Sequence, residues 1–218
     1  METEVIVRGE GEARVLPDRA VIHITVDGDA NTREDAYAAT APNAKAVDDV
    51  LTGHEAAIDR SSTAALVVHP KTRWRRGEQV RTGWRASRTS VVEVVDFSHL
   101  GDMIAELSVA GGSVVGPQWL LDATNEVHGE IRRLAAEDAR RRAEVYAATL
   151  GLRLTGIAWV AEPGLRRPGD GGPVFAGGPP GALFRTAAGG AEDEVIDVSP
   201  DEMTITAAVE VGFTFATT

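Results

Sequence analysis

The chain has 218 residues, 43% of them hydrophobic, and a net charge of −11. That is enough to bury a core, and the acidic balance argues against general attraction to nucleic acid or anionic membrane. Cysteine is absent, which excludes disulfides, thiolate zinc sites and a cysteine nucleophile, and no apolar run of about 18 residues offers a membrane span.

Val5, Val7, Ala13 and Val15 alternate with Ile6, Arg8, Glu10, Glu12 and Arg14, the period of a strand with one covered face. Gly9 and Gly11 interrupt the middle and mark a bulge or a close backbone approach. Leu16-Pro17-Asp18 reads as a turn. Ala20, Ile22, Ile24 and Val26 then alternate with His23, Thr25 and Asp27, and the two segments together predict a long hairpin. Asn31 or Thr32 caps a helix with Glu34 and Asp35 in its first turn, where the helix dipole favours acids. Ala36, Thr40, Asn43, Val47 and Leu51 recur at helical spacing; Pro42 should kink or split this helix, and Gly53 ends it.

Strands are predicted over 56–68 and 83–95, joined by a basic hairpin tip at Arg75-Arg76-Gly77-Glu78. A short helix over 98–110 carries Leu100, Ile104 and Leu107 on one side and stops at Gly111-Gly112, and a strand follows over 116–122. The longest helix spans 125–150. Val127, Ile131, Leu134, Val145 and Tyr146 line its apolar side, and Ala135, Ala139, Ala143 and Ala147 fall four apart, a row of methyl groups that permits close packing. A strand over 154–160 precedes an abrupt change to Gly, Pro and Ala. The segment 163–194 is read as a flexible insertion within a single domain over 1–218.

Over 202–215, Met203, Ile205, Ala207, Val209, Val211, Phe213 and Phe215 alternate with Glu202, Thr204, Thr206, Glu210 and Thr214. This strand is about twice the usual length of roughly 5–6 residues. Its cover must be equally long, which points to a large antiparallel sheet or to an arm reaching a neighbouring subunit.

Little in the chain points to a reaction. His23, His54, His69, His99 and His128 form no HExxH pair. His128-Gly129-Glu130 resembles the H-x-E of zinc deaminases, but the required Pro-Cys-x-x-Cys is missing. The glycines near Val7 lack the Gly-Lys-Ser/Thr of a phosphate loop. No metal, cofactor or catalytic residue is expected. Asp18, Asp27 and Asp29 are read as turn and cap acids.

Two groups stand out for binding instead. Asp138 and Arg142 are four apart near the apolar side of the long helix, which suits a structural or interface role. Between 71 and 88, Lys71, Arg73, Arg75, Arg76, Arg81, Arg85 and Arg88 interleave with Trp74 and Trp84. Arginine with aromatic serves both single-stranded nucleic acid and protein interfaces, and the net charge of −11 disfavours the former; the third reading is a solvated hairpin whose arginines offset the chain's acids. The candidate interface or ligand-binding residues are therefore Trp74, Arg75, Arg76, Arg81, Trp84, Arg85, Asp138 and Arg142.

Val7-Arg-Gly-Glu-Gly followed by Pro17-Asp18-Arg-Ala resembles the opening of the SIMPL-domain family. Gly83-Trp84-Arg85-Ala86-Ser87 resembles its Gly-aromatic-x-Ala-Ser strand. The stretch from Ala135 through Asp138, Ala139 and Ala143, closed by Leu150-Gly151, resembles its alanine-rich helix. The resemblance implies an α+β fold with a mostly antiparallel sheet. It also implies self-assembly, since a family member forms a ring-like, channel-shaped oligomer, and it brings no established catalytic residues.

With the elements above, the expectation is one long sheet carrying two major helices on one face. The expected function is that of a non-enzymatic homo-oligomeric assembly or scaffold protein, possible uses being a ring, a pore-like compartment or stress-related sequestration. A small-ligand or anionic-partner binding module using the hairpin over 71–88 is the alternative, and an unrecognised hydrolase built on His23 or His128 is a third. Met1-Glu-Thr-Glu runs straight into Val5-Ile-Val with no basic n-region or cleavage site. This suggests a cytoplasmic protein, or a periplasmic one if a leader has been removed.

Overall fold

The structure, a computed structural model, describes residues 3–75, 77–165 and 198–217. Beyond residue 165, the segment read as a 163–194 insertion lies outside them. In chain order the elements are β1 (Thr3–Val15), β2 (Arg19–Ala30), α1 (Arg33–Gly53), β3 (Ile58–Arg75), β4 (Glu78–Val94), α2 (Leu100–Val109), β5 (Ser113–Leu120), α3 (Val127–Leu150), β6 (Leu152–Ala161) and β7 (Met203–Thr217). The class is α+β and every strand pairing is antiparallel.

The strands divide between two sheets rather than forming one, with orders β1-β7-β6 and β3-β4-β2-β5. The chain correspondingly separates into two compact units. One holds β1, α3, β6 and β7; the other holds β2, α1, β3, β4, α2 and β5. The predicted hairpin of β1 with β2 is thereby corrected. β1 pairs along its whole length with β7, from Thr3↔Phe215 to Val15↔Met203, while β2 pairs with β4 and β5. Alternation identified both strands, but a turn between them does not oblige them to pair.

In the first unit, Val7, Val211, Phe213 and Phe215 form an apolar face against Ala139, Ala143 and Ala147 of α3. The 24-residue α3 is about 36 Å long at 1.5 Å per residue, which supplies the long cover that β7 needs. Gly9 and Gly11 are the close approach anticipated from sequence. A Cβ on Gly9 would collide with the Ala135 carbonyl oxygen and Ala139, and one on Gly11 with the Ile131 carbonyl oxygen. Glycine on the strand and alanine on the helix let the two backbones nearly touch.

In the second unit, Ala20, Ile22, Ile24 and Val26 of β2 and Val92 and Val94 of β4 bury against Val47 and Leu51 of α1 and Leu100, Met103 and Leu107 of α2. Thr32 is the N-cap of α1, its hydroxyl accepting from the Asp35 N–H at 3.1 Å. Pro42 does not split α1, which continues to Gly53. Pro42 and Ala38 are both exposed, and on an exposed helix face water can take the place of the missing helical donor.

Candidate functional site

The basic, aromatic segment forms a protruding ribbon. β4 pairs with β2 only from Ala20↔Val94 to Ala30↔Trp84, whereas its pairing with β3 continues outward to Arg75↔Glu78. Among the described residues, 71–75 of β3 and 78–83 of β4 therefore have only each other as strand partners. Gly83, with φ of 155°, sits where the ribbon leaves the sheet, and a Cβ there would lie 2.8 Å from the Ala30 carbonyl oxygen. A bare two-stranded ribbon is marginal in water, so its root needs fastening.

Asp29, near the end of β2, supplies the fastening. Its two carboxylate oxygens accept from Arg85 Nε and Nη2, each at 2.8 Å, and Lys71 Nζ adds a further bond to Oδ2. Bidentate pairing of this kind is geometrically specific. Arg85, helped by Lys71, holds the Asp29 carboxyl well below the usual carboxylate range, and Asp29 in turn raises Arg85. Asp27 accepts from the Ser87 hydroxyl and lies 3.5 Å from Arg85 Nη1. The guanidinium carbons of Arg33 and Arg81 lie 4.2 and 5.3 Å from the Trp84 ring centre, within cation–π range. Further along β4, Arg88 grips Asp48 of α1 through two bonds of 2.9 Å.

The candidate residues thus separate into roles. Trp84 and Arg85 belong to the root, with Asp29 as their organiser. Trp74 near the tip is 72% exposed. Arg73, Arg75 and Arg81 form no salt bridge among the described residues; Arg76 lies outside those residues. Asp138 and Arg142 belong to the other unit. Asp138 is buried, lies 2.7 Å from Arg142 Nε, also pairs with Arg141, and accepts from the Glu10 backbone N–H at 3.1 Å.

Sequence reading missed the role of Asp29. It sits directly opposite Arg85 in the β2–β4 register, and nothing local in the sequence announces that pairing. Asp18 accepts from the Asp122 N–H at 2.7 Å, a contact between residues 104 positions apart rather than one within a turn.

A shallow groove of about 310 Å³ in the second unit is lined by Asp48, Leu51, Thr52, Glu55, Ile58 and Asp59. Asp48 and Asp59 are already paired with Arg88 and Arg19, leaving no poised acid–base couple between them. His23 is an exposed residue of β2 and His128 belongs to α3 of the other unit. Among the described residues, no three His, Asp or Glu side chains gather in a metal-holding arrangement, and no helix is long and apolar enough to cross a membrane.

The fold and this surface define an antiparallel α+β protein whose conspicuous exposed feature is a basic β-ribbon. The chain belongs to the SIMPL family, described as a protein of unknown function (DUF541), whose model matches residues 5–213. It is similar to the "26 kDa periplasmic immunogenic protein" of Brucella melitensis biotype 1, with 26% identity over 218 residues, 96% of this chain and 83% of the relative. The protein of the same name from Brucella abortus strain S19 matches with the same identity and coverage.

Proposed function

We propose that this chain is a non-enzymatic assembly protein that forms homo-oligomers through the β3–β4 ribbon, serving as a scaffold or a ring-shaped compartment. The observation that carries the reading is β3 itself. It is 18 residues long, lies at the open edge of its sheet, and is exposed over nearly its whole length. Leu66 and Val67 in the middle of β3 and Trp74 and Val80 on the ribbon are 51%, 50%, 72% and 43% exposed, a concentration of apolar surface typical of contact regions. Size-exclusion chromatography with light scattering, followed by native mass spectrometry, tests it. A stable oligomer is expected, and a strict monomer at micromolar concentration overturns it.

The name of the Brucella relatives favours the periplasmic of the two locations raised by the sequence. Fractionation of cells expressing the complete gene decides between them.

A second reading is supported by the arginines at the tip that lack an ion-pair partner among the described residues, which suit an anionic partner. Changing Arg75, Arg76 and Arg81 to Glu should abolish retention on immobilised polyphosphate. Unchanged retention removes this alternative.

A further inference from the structure

We propose that Arg33 and Arg81, gathered around Trp84 at the root of the ribbon, form a binding site for a phosphate group. The site depends neither on assembly nor on the arginines at the ribbon tip.

The two faces of the sheet differ chemically at this point. Trp84 and Arg85 are consecutive on β4, so they point to opposite faces. Ala86 is buried and lies directly opposite Gly28, whose Cβ would collide with the Ala36 carbonyl oxygen of α1. The face that carries Ala86 and Trp84 is therefore the one that α1 covers. Arg85 and its partners Asp27 and Asp29 occupy the other face. The carboxylates that fasten the root are thus across the sheet from the indole.

Two cations reach that indole from different elements. Arg33 opens α1 and places its guanidinium carbon 4.2 Å from the ring centre. Arg81 approaches along β4 to 5.3 Å. In a regular strand, residues three apart point to opposite faces. Here Lys71 pairs with Gly83 while Thr72 pairs with Arg81, so Thr82 is an extra residue and the alternation reverses. A bulge of this kind re-aims a side chain, and Gly83, with φ of 155°, supplies the backbone for it. The Gly83-Trp84 pair conspicuous in the sequence is the pivot that turns Arg81 onto the α1 face.

Contact with a ring neutralises no charge. Neither guanidinium forms an ion pair or a hydrogen bond among the described residues, and Glu34 and Asp35 in the first turn of α1 pair with neither. Each therefore keeps its N–H donors available, in the planar fork that matches oxyanions. One carboxylate satisfies one fork. A phosphate group offers at least three acceptor oxygens and about −1.5 to −2 of charge at pH 7, which suits two guanidiniums at one ring. Resting both on the indole restricts them before the anion arrives, which lowers the ordering cost of binding.

The test follows the arginine Nε–H signals of the full chain by NMR while inorganic phosphate is added at constant ionic strength. The Arg33 and Arg81 signals should move together and saturate at about millimolar phosphate, and acetate should leave them in place. Arg33→Gln and Arg81→Gln should each weaken binding about 10-fold. Arg33→Lys, which keeps the charge without the fork, should recover little of it, and Arg75→Gln should bind as wild type does. Both arginines are exposed, so circular dichroism and melting of these variants should stay near wild type. Cosedimentation with phosphatidylglycerol and phosphatidylcholine vesicles separates the sources. Capture by the anionic vesicles that is lost in both Gln variants assigns a lipid headgroup phosphate, and phosphate binding without capture assigns a soluble one; each supports the site. Shifts that never saturate, an equal response to acetate, or undiminished binding in both Gln variants overturns it. A wild-type monomer that binds phosphate refutes assembly and leaves this site standing, whereas an oligomer blind to phosphate does the reverse.

Discussion

Asp138 on α3 accepts a hydrogen bond at 3.1 Å from the backbone N–H of Glu10, 128 residues earlier on β1. β1 is an edge strand, so amides facing away from β7 need partners from outside the ladder. Burial pushes the Asp138 carboxyl up, but the Glu10 amide, Arg141 and Arg142 more than reverse this, and it stays below the usual carboxylate range. Asp138→Ala should cost about 1–3 kcal/mol, the range for a charge-assisted bond lost from a partly buried site; urea denaturation measures it. Because the folded value is depressed, this stability is fully present above the unfolded value near pH 4. It is lost as pH falls through the folded value. The variant should therefore show a shallower decline in acid than wild type, and identical acid profiles would remove this assignment.

The contact of β1 with α3 makes an opposite pair of glycine predictions. Gly9→Ala places a methyl against the Ala135 carbonyl oxygen, where no side chain can swing aside. It should destabilise by about 1–3 kcal/mol or more, as overpacking does. Gly129 lies within α3 with nothing within 4 Å of a built Cβ. Gly129→Ala should stabilise by roughly 0.5–1 kcal/mol through helix propensity alone. Thermal melts of the two variants should move in opposite directions; a Gly9→Ala variant as stable as wild type would mean that α3 does not sit on β1 as described.

The elements were legible from the sequence because period and punctuation are local. The alternation of 202–215, the four-residue spacing of Ala135 to Ala147 and the glycines ending two helices each carry their meaning within a few residues. Pairing is not local. Val7 meets Val211, not a residue of the strand that follows it, and no composition rule encodes that choice, so one sheet was expected where there are two. The site divides in the same way. Its arginines and tryptophans were visible as a cluster in sequence. Asp29, which organises the ribbon root, acquired its meaning only from its cross-strand position opposite Arg85. Asp138 was singled out through Arg142 one turn away, but its bond to Glu10 reaches across 128 residues of sequence.

Pro42 offers a gain rather than a loss. Inside α1 it removes one N–H donor and leaves the Ala38 carbonyl to solvent, and both residues are exposed. As an exposed residue it has little packing to lose on replacement. An interior proline costs about 3 kcal/mol relative to alanine, and its lower unfolded-state entropy returns about 0.4–1 kcal/mol of that. Pro42→Ala should stabilise the protein by about 1–3 kcal/mol in chemical denaturation. A neutral or destabilising result would indicate that the proline ring makes a contact of its own.

The ribbon root makes the last prediction, and its readout is local. Asp29→Asn keeps the shape of the side chain but removes the charge that holds Lys71 and Arg85. All three side chains are more than a third exposed, so solvent screens the pairing and global unfolding should barely change. Among the described residues the ribbon has no other sheet neighbour beyond Trp84, so the loss should appear there. Amide exchange over 79–83 should quicken about 2- to 5-fold, the range for an exposed pair, while exchange in the β2 core stays as it was. The pH sign follows from the depressed Asp29 carboxyl, held down first by Arg85 and then by Lys71. Wild-type protection of the ribbon should hold from neutral pH down to the ordinary carboxylate value near 4, then fade as pH falls further through the folded value. The Asn variant should lack that acid-dependent component altogether. Equal exchange in the two proteins at neutral pH would show that the ribbon is held by its strand pairing alone and that the Asp29 bridge is incidental.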